Sequence, residues 1–359
     1  MDYIHYNLAM TLAADLLDWF GRFGRELPWR ERSDPYAIWV SEVMLQQTRV
    51  DAVLPYFEAF IQRFPDVHAL AAASQEDVLK LWEGMGYYAR ARNLHRAAQT
   101  IANQRGGTLP ADTEELRQLP GIGKYTAAAL ASIAFGSDVL ALEGNLRRVL
   151  ARLFDVHLDP RNPEGERVLG DLGESILPRG RASEFNQALM DLGALICSPR
   201  GPDCDRCPIR AHCLAYQRGT QHELPVRAPR KPLPTRQAVA GIWTIGRKVL
   251  IHRNPEHGLL GGMWGFPGGF LDQGEPHSAG LRRLFNQQLG IAIDSSLPLP
   301  EMEQSYTHFK VRLHPYVCGT ASKRRKIRET RWVAVAKLDG FPMGKLDRQL
   351  AGIIRRNAL

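Results

Sequence analysis

Along the first two hundred residues apolar side chains return every three or four positions, the period that paints one stripe on an α-helix. The runs 8–23, 35–47, 50–64, 75–85, 90–104, 125–135, 146–154 and 184–197 all carry it. Asp34 before Pro35 is a helix start, and Gly106-Gly107 a helix stop. Asp112 is expected to cap a short helix, with Glu115 completing a capping box. After Cys213 the period changes. Pro225, Pro229, Pro232 and Pro234, with basic residues between them, read as an extended linker. Beyond it 238–245, 248–252, 312–317 and 331–335 have strand character, and 278–289 is expected as a single amphipathic helix. The pattern predicts a multidomain chain: an all-α domain over 1–220, a linker over 221–236 and a smaller α+β domain over 237–359.

A formal charge of +8 and a pI near 9.3 suggest an acidic partner. Arginine supplies most of the basic residues, and its guanidinium forks onto phosphate oxygens. No signal-like leader or membrane-crossing run is read. A cytoplasmic location, no membrane partner and a monomer are expected.

Three stretches carry chemistry. In Leu119-Pro120-Gly121-Ile122-Gly123-Lys124-Tyr125-Thr126, Gly121 and Gly123 let backbone approach a partner. The helix that follows directs unpaired N–H groups outward, a seat for a DNA phosphate. An ordinary glycine-capped connection fits the same residues. Cys197, Cys204, Cys207 and Cys213 follow the spacing C-x6-C-x2-C-x5-C. Four thiolates so close hold one tetrahedral zinc or an iron–sulfur cubane, and spacing alone does not choose. Cys318 is expected as a small buried hydrophobe. Finally, Glu42 is a lone carboxylate in an apolar helix: burial there would raise its pKa as a general acid requires, and a surface-facing Glu on an amphipathic helix fits the same residues. Gln46 shares its face and is a candidate to read a base edge.

The glycine-paired octet resembles the helix-hairpin-helix of base-excision DNA glycosylases. Arg25, Leu27, Trp29, Arg30, the segment Glu42 to Thr48 with Gln47, the turn Gly84 to Arg90 with Tyr87, and Phe185-Asn186-Gln187 resemble DNA-binding motifs of the MutY adenine glycosylase family. The cysteine spacing is similar to that of endonuclease III and MutY, which implies a 4Fe-4S cluster. By this resemblance Glu42 protonates the leaving adenine and then helps activate water. Trp29 and Arg30 line the pocket for the flipped base, and Gln47 and Tyr87 wedge into the duplex. Tyr125 stands where bifunctional relatives carry a lysine, which implies base removal without efficient strand cleavage.

One position departs from the family. In Ala141-Leu142-Glu143-Gly144-Asn145-Leu146 the family carries Asp where this chain has Glu143. That carboxylate stabilises the cationic sugar and is thought to form a transient adduct. Asn145 is expected as N-cap of the next helix. The C-terminal stretch from Leu259 to Gly269 with Glu275 resembles a Nudix fold. The metal-binding acids of active members are replaced by Leu284, Gln287 and Gln288, which implies recognition rather than diphosphate hydrolysis. Tyr306-Thr307-His308 corresponds to the MutY loop that reads 8-oxoguanine. Lys323-Arg324-Arg325-Lys326 is a candidate phosphate contact, and a solvated loop fits the run equally well. The resemblance implies a monofunctional glycosylase acting on double-stranded DNA with adenine opposite 8-oxoguanine or guanine. Another mispair such as T:G, or a damage-binding protein impaired at Glu143, are the alternatives.

Overall fold

The computed structural model describes residues 3–32, 34–227, 232–320 and 327–357. The basic run at 323–326 and part of the predicted linker lie outside them. Helices come first: α1 (Tyr3–Phe23), α2 (Pro35–Leu45), α3 (Val50–Arg63), α4 (Val67–Ala72), α5 (Gln75–Leu81), α6 (Ala89–Gln104), α7 (Thr113–Arg117), α8 (Lys124–Ile133), α9 (Gly144–Leu153), α10 (Pro163–Ser175), α11 (Ala182–Leu195) and α12 (Leu214–Arg218). Strands then dominate: β1 (Thr235–Ile245), β2 (Lys248–Arg253), β3 (Trp264–Gly265), β4 (Gly268–Phe270), α13 (His277–Leu289), β5 (Ser295–Pro298), β6 (Met302–Ser305), β7 (Lys310–Gly319), β8 (Thr330–Ala334) and α14 (Lys345–Asn357). The chain packs as two units, 1–72 with 96–230, and 73–95 with 231–359.

In the first unit the apolar stripes of α1, α9 and α11 meet in one core, with Leu16, Leu150, Phe185 and Leu189 fully buried. Helix α2 has no polar face: every residue from Tyr36 to Met44 is buried. A helix apolar all round belongs inside a domain, and that placement carries Glu42 inside with it. Asp34 caps it as expected, accepting from the Tyr36 and Ala37 N–H groups. The helix stops at Leu45 rather than continuing to residue 47, and Gln47 takes a left-handed backbone with φ of 59°. Asp112 caps α7, but the capping box is not completed, because the Glu115 carboxylate pairs with Arg105.

In the second unit β1 runs parallel to β7 from Thr235 opposite Lys310 to Trp243 opposite Cys318. The sheet order is β3-β2-β1-β7-β5, with β4 beside β1, β6 beside β7 and β8 beside β2. The two-residue strand period sends Val239 and Trp243 to the face covered by α13, and Ala238, Ala240 and Ile242 to the face covered by α14. A Cβ at Gly241 would stand 2.1 Å from the Phe285 ring, so only glycine lets α13 lie this close. Cys318 is buried on the same face. The expectation of a single helix here was too few, since α14 covers the second face.

Candidate active site

Burial, not sequence distance, decides the chemistry of Glu42. Its side chain is 5% exposed, and desolvation pushes its carboxyl up to about 7. The Tyr125 hydroxyl donates to its Oε2 at 2.7 Å and Arg30 also pulls the value down, while Glu143 nearby pushes it up. Tyr125 titrates well above the usual tyrosine value through burial and the two carboxylates, so it remains a donor. It lies in the first turn of α8, whose N-cap is Gly123 with no side-chain cap. Gly121 turns left-handed at φ of 80°, and a Cβ at Gly123 would meet nothing within 4 Å. The hairpin therefore presents backbone N–H groups to open space. Lys124 points elsewhere, toward Glu166 at 3.6 Å with its side chain 80% exposed.

The cap of α9 differs from expectation. Glu143, not Asn145, is the N-cap: its Oε1 accepts the Asn145 N–H at 2.7 Å and the Leu146 N–H at 3.1 Å. The Glu143 carboxylate curls back over its own helix end to do so. Burial raises its pKa against these two bonds and Arg148. Asn145 instead accepts from Arg148, whose guanidinium also reaches the Gly193 and Cys197 carbonyls.

Arg25, Leu27, Trp29, Arg30, Glu42 and Gln187 line one pocket. Trp29 packs edge-on against Phe57 at 5.1 Å. Both arginines are committed to Asp191, a fully buried carboxylate that sequence reasoning missed. Arg25 gives it Nε at 2.8 Å and its backbone N–H at 2.9 Å, and Arg30 gives it two bonds at 2.8 and 2.9 Å. Burial opposes the charge, yet the bonds from Arg30 and Arg25 hold the Asp191 carboxyl below the usual range. The signal was present: a carboxylate one turn beyond Gln187 on an apolar run. Gln46 caps the end of α2 and ties its amide to Thr126 at 2.9 Å, so that amide faces the hairpin helix rather than open space. Thr48 bonds the Gln46 carbonyl at 3.4 Å, and Gln187 bonds Ser183. Gln47 is exposed.

In the second unit Tyr87 is 41% exposed at φ of 48°, a conformation that costs a non-glycine residue of order 1 kcal/mol. Its hydroxyl meets Thr307 Oγ1 at 2.8 Å. Tyr87, Tyr306, Thr307 and His308 line a cavity of about 940 Å³. Burial raises Tyr306 to about 12. On α13, Leu284 is in the core, Gln288 brackets the Gly268 backbone at 3.0 and 2.7 Å, and Arg283 holds Glu275 in a two-pronged pair. That pairing drops the Glu275 carboxyl to about 2.

The four cysteines border one small cavity, with two 3-10 turns, Cys204–Arg206 and Arg210–His212, folding the loop around it. Burial raises Cys207 to about 12, and the other three thiols each oppose its ionisation. Buried Arg152, also missed, donates to Cys197 Sγ at 3.3 Å. Among the described residues no three donor side chains converge as a single metal ion requires.

Comparisons agree with this architecture. The model of the HhH-GPD superfamily of base excision DNA repair proteins matches residues 40–174, and that of the NUDIX domain residues 238–351. The chain is 35% identical over 306 residues to human adenine DNA glycosylase, covering 70% of this chain and 56% of that one. Against the rat protein it is 34% identical over 356 residues, covering 84% and 69%. A solved thermostable thymine-DNA glycosylase superposes with a TM-score of 0.54 at 28% identity, over 59% of this chain and 98% of that one. The chain spans less than two thirds of the human and mouse relatives, 56% and 61% of their lengths. Identity above three tenths across more than two thirds of the rat protein, with both domain models in place, shows that the chain belongs to the adenine DNA glycosylase family.

Proposed function

We propose that this chain is a monofunctional adenine DNA glycosylase that acts on double-stranded DNA at adenine opposite 8-oxoguanine or guanine. The observation that carries the reading is Glu42, buried, titrating near 7 and hydrogen-bonded by Tyr125 beside a second carboxylate. A protonated Glu42 gives its proton to the departing adenine, so the C1′–N9 bond breaks without building an adenine anion. Glu143 offsets the positive charge on the sugar. Ionised Glu42 then takes a proton from water as the C1′–O bond forms, which restores the acid. Among the described residues no amine faces this site: Tyr125 occupies the hairpin position and Lys124 points to Glu166. A Schiff base and the strand cleavage that follows from it therefore have no nucleophile here.

The uncapped hairpin N–H groups suit a phosphate, Gln47 and Tyr87 suit a wedge at the flipped site, and Tyr306, Thr307 and His308 suit reading of the opposite base. Asn145 acts through Arg148 and the α9 start. Cys197, Cys204, Cys207 and Cys213 would hold a 4Fe-4S cluster, whose part here is to fix the loop. The donor set fits: four thiols border one small cavity, with Arg152 placed to offset anionic thiolates.

Likeness to a thymine-DNA glycosylase makes T:G the second substrate to try. Purified protein is mixed with A:8-oxoguanine, A:G and T:G duplexes, and free base and strand nicks are followed separately. Adenine release that outpaces nicking is expected. Thymine release alone, or tight binding with no base released, overturns the reading.

A further inference from the structure

We infer that Glu83 and Arg348 form a positioning latch for the turn that carries Tyr87, and that recognition of the base opposite the target depends on this latch. The inference rests on the wedge role proposed for Tyr87. That turn is not self-sufficient. Gly84 and Gly86 adopt left-handed φ of 98° and 75°, which glycine does freely, but Tyr87 follows at 48° and pays a steric penalty. Bonds inside the turn run from Trp82 Nε1 to the Gly86 carbonyl at 3.0 Å and from the Gly84 N–H to the Tyr88 hydroxyl at 3.2 Å. They fix its shape but not its place.

Its place comes from elements far away in sequence within the same unit. Arg348 on α14 grips both Glu83 carboxylate oxygens, Nε to Oε1 at 2.5 Å and a terminal nitrogen to Oε2 at 3.0 Å. Its other N–H groups go to the Leu338 carbonyl at 3.0 Å, to Asp339 at 3.1 Å and to the Phe341 carbonyl. With all five donors engaged the guanidinium has one position. The Glu83 and Arg348 side chains are 14% and 25% exposed, so this forked pair is shielded far more than a surface salt bridge. At the other end the Tyr87 hydroxyl meets Thr307 on the loop between β6 and β7. The turn is thus held at both ends, from α14 and from the loop proposed to read the opposite base. Lys80 also contacts Glu83, at 2.7 Å, so loss of Arg348 does not leave a bare buried charge.

The test uses the full-length protein carrying Arg348→Met, Arg348→Lys or Glu83→Gln, each alone and combined with Tyr87→Ala. Binding is measured on duplexes that place an uncleavable adenine analogue opposite 8-oxoguanine or guanine, and single-turnover adenine release is measured at saturating enzyme. Arg348→Met is expected to lower the preference for the 8-oxoguanine duplex about tenfold and to leave release from the saturated complex within about twofold. Arg348→Lys, which keeps charge but not the fork, should lie between. In the Tyr87→Ala background Arg348→Met should add nothing. Additive losses there, or equal weakening on both duplexes, would show a brace for the fold and overturn the latch. An unchanged preference in Tyr87→Ala alone would instead remove the wedge role, and the inference with it.

Discussion

Replacing Glu42 by Gln should abolish base release and yet stabilise the first unit above neutral pH. The reason is proton linkage. In the unfolded chain this carboxyl titrates near 4.5, whereas in the fold burial holds it at about 7. Below 4.5 both states keep the proton and the site has no electrostatic penalty. Between 4.5 and 7 the unfolded chain has released its proton while the folded one retains it, so stability falls as pH rises. Above 7 the loss is complete. At 1.36 kcal/mol per unit over this interval it amounts to about 3 kcal/mol. Gln is close in shape to the protonated acid, and its carbonyl can accept the Tyr125 hydroxyl, but it never ionises. Denaturant unfolding of variant and parent, compared in the same buffers, cancels every other titrating group. The difference should be near zero around pH 4.5 and reach about 3 kcal/mol in favour of the variant by about pH 8. A difference that is flat with pH would mean that the fold leaves the Glu42 pKa unshifted, and one that favours the parent under alkaline conditions would mean that the fold stabilises the carboxylate; either refutes a raised pKa for the acid.

Other consequences are open to the same kind of measurement. If Glu42 is the proposed acid, adenine release by the parent should fall as pH rises through about 7, as its proton is lost; a rate still climbing there contradicts this. Asp191→Asn should destabilise the first unit by about 3 kcal/mol or more, since it strands two arginines that are mostly buried, and an unchanged unfolding midpoint would refute it. Cys207→Ser should lose visible absorbance and iron, and zinc found in the parent by elemental analysis would discard the cluster altogether. Glu143→Asp should speed single-turnover release, by up to about a hundredfold if placement of the carboxylate is limiting, with little change in unfolding because Asp also caps helices well.

Much of this was written in the chain because periodicity and burial agree. The apolar stripes of α1, α9 and α11 announced themselves, whereas the burial of Glu42, which the sequence also allowed at the surface, follows from a helix α2 buried on every side. The elements that escaped did so for local reasons. Helix α10 contains Gly165, Gly170 and Gly173, poor helix formers, and at two of them neighbours come close: a Cβ at Gly165 would sit 2.2 Å from the Asp159 carbonyl oxygen and one at Gly173 2.4 Å from Leu140. The short strands β3 to β6 are two to four residues long, too short for alternation to register. Segment 73–95 reads as helix and turn like its neighbours, and only contacts distant in sequence place it with the second unit, such as Arg92 to the Gly258 and Gly261 carbonyls. Asp191 and Arg152 were missed for a related reason. A charged residue on an apolar face is legible, but its partner is not, and the partner decides whether the charge is tolerated.

Glu143 shows how a side chain can serve two ends. Its Oε1 caps α9 through two backbone N–H groups, so the longer side chain is anchored by the very helix it precedes. Those bonds favour the ionised form, as does Arg148, and burial opposes them. Negative charge on Glu143 opposes ionisation of Glu42, so the pair favours a protonated Glu42 beside it and, after transfer, return of a proton to Glu42 from water. The capping bonds have a second effect. Both bonds fall on Oε1, which leaves Oε2 as the oxygen able to face the sugar. A shorter Asp would still reach the N–H groups while drawing the carboxylate back toward the helix, and the rate difference between the two therefore measures how much of catalysis lies in the position of that charge rather than its presence.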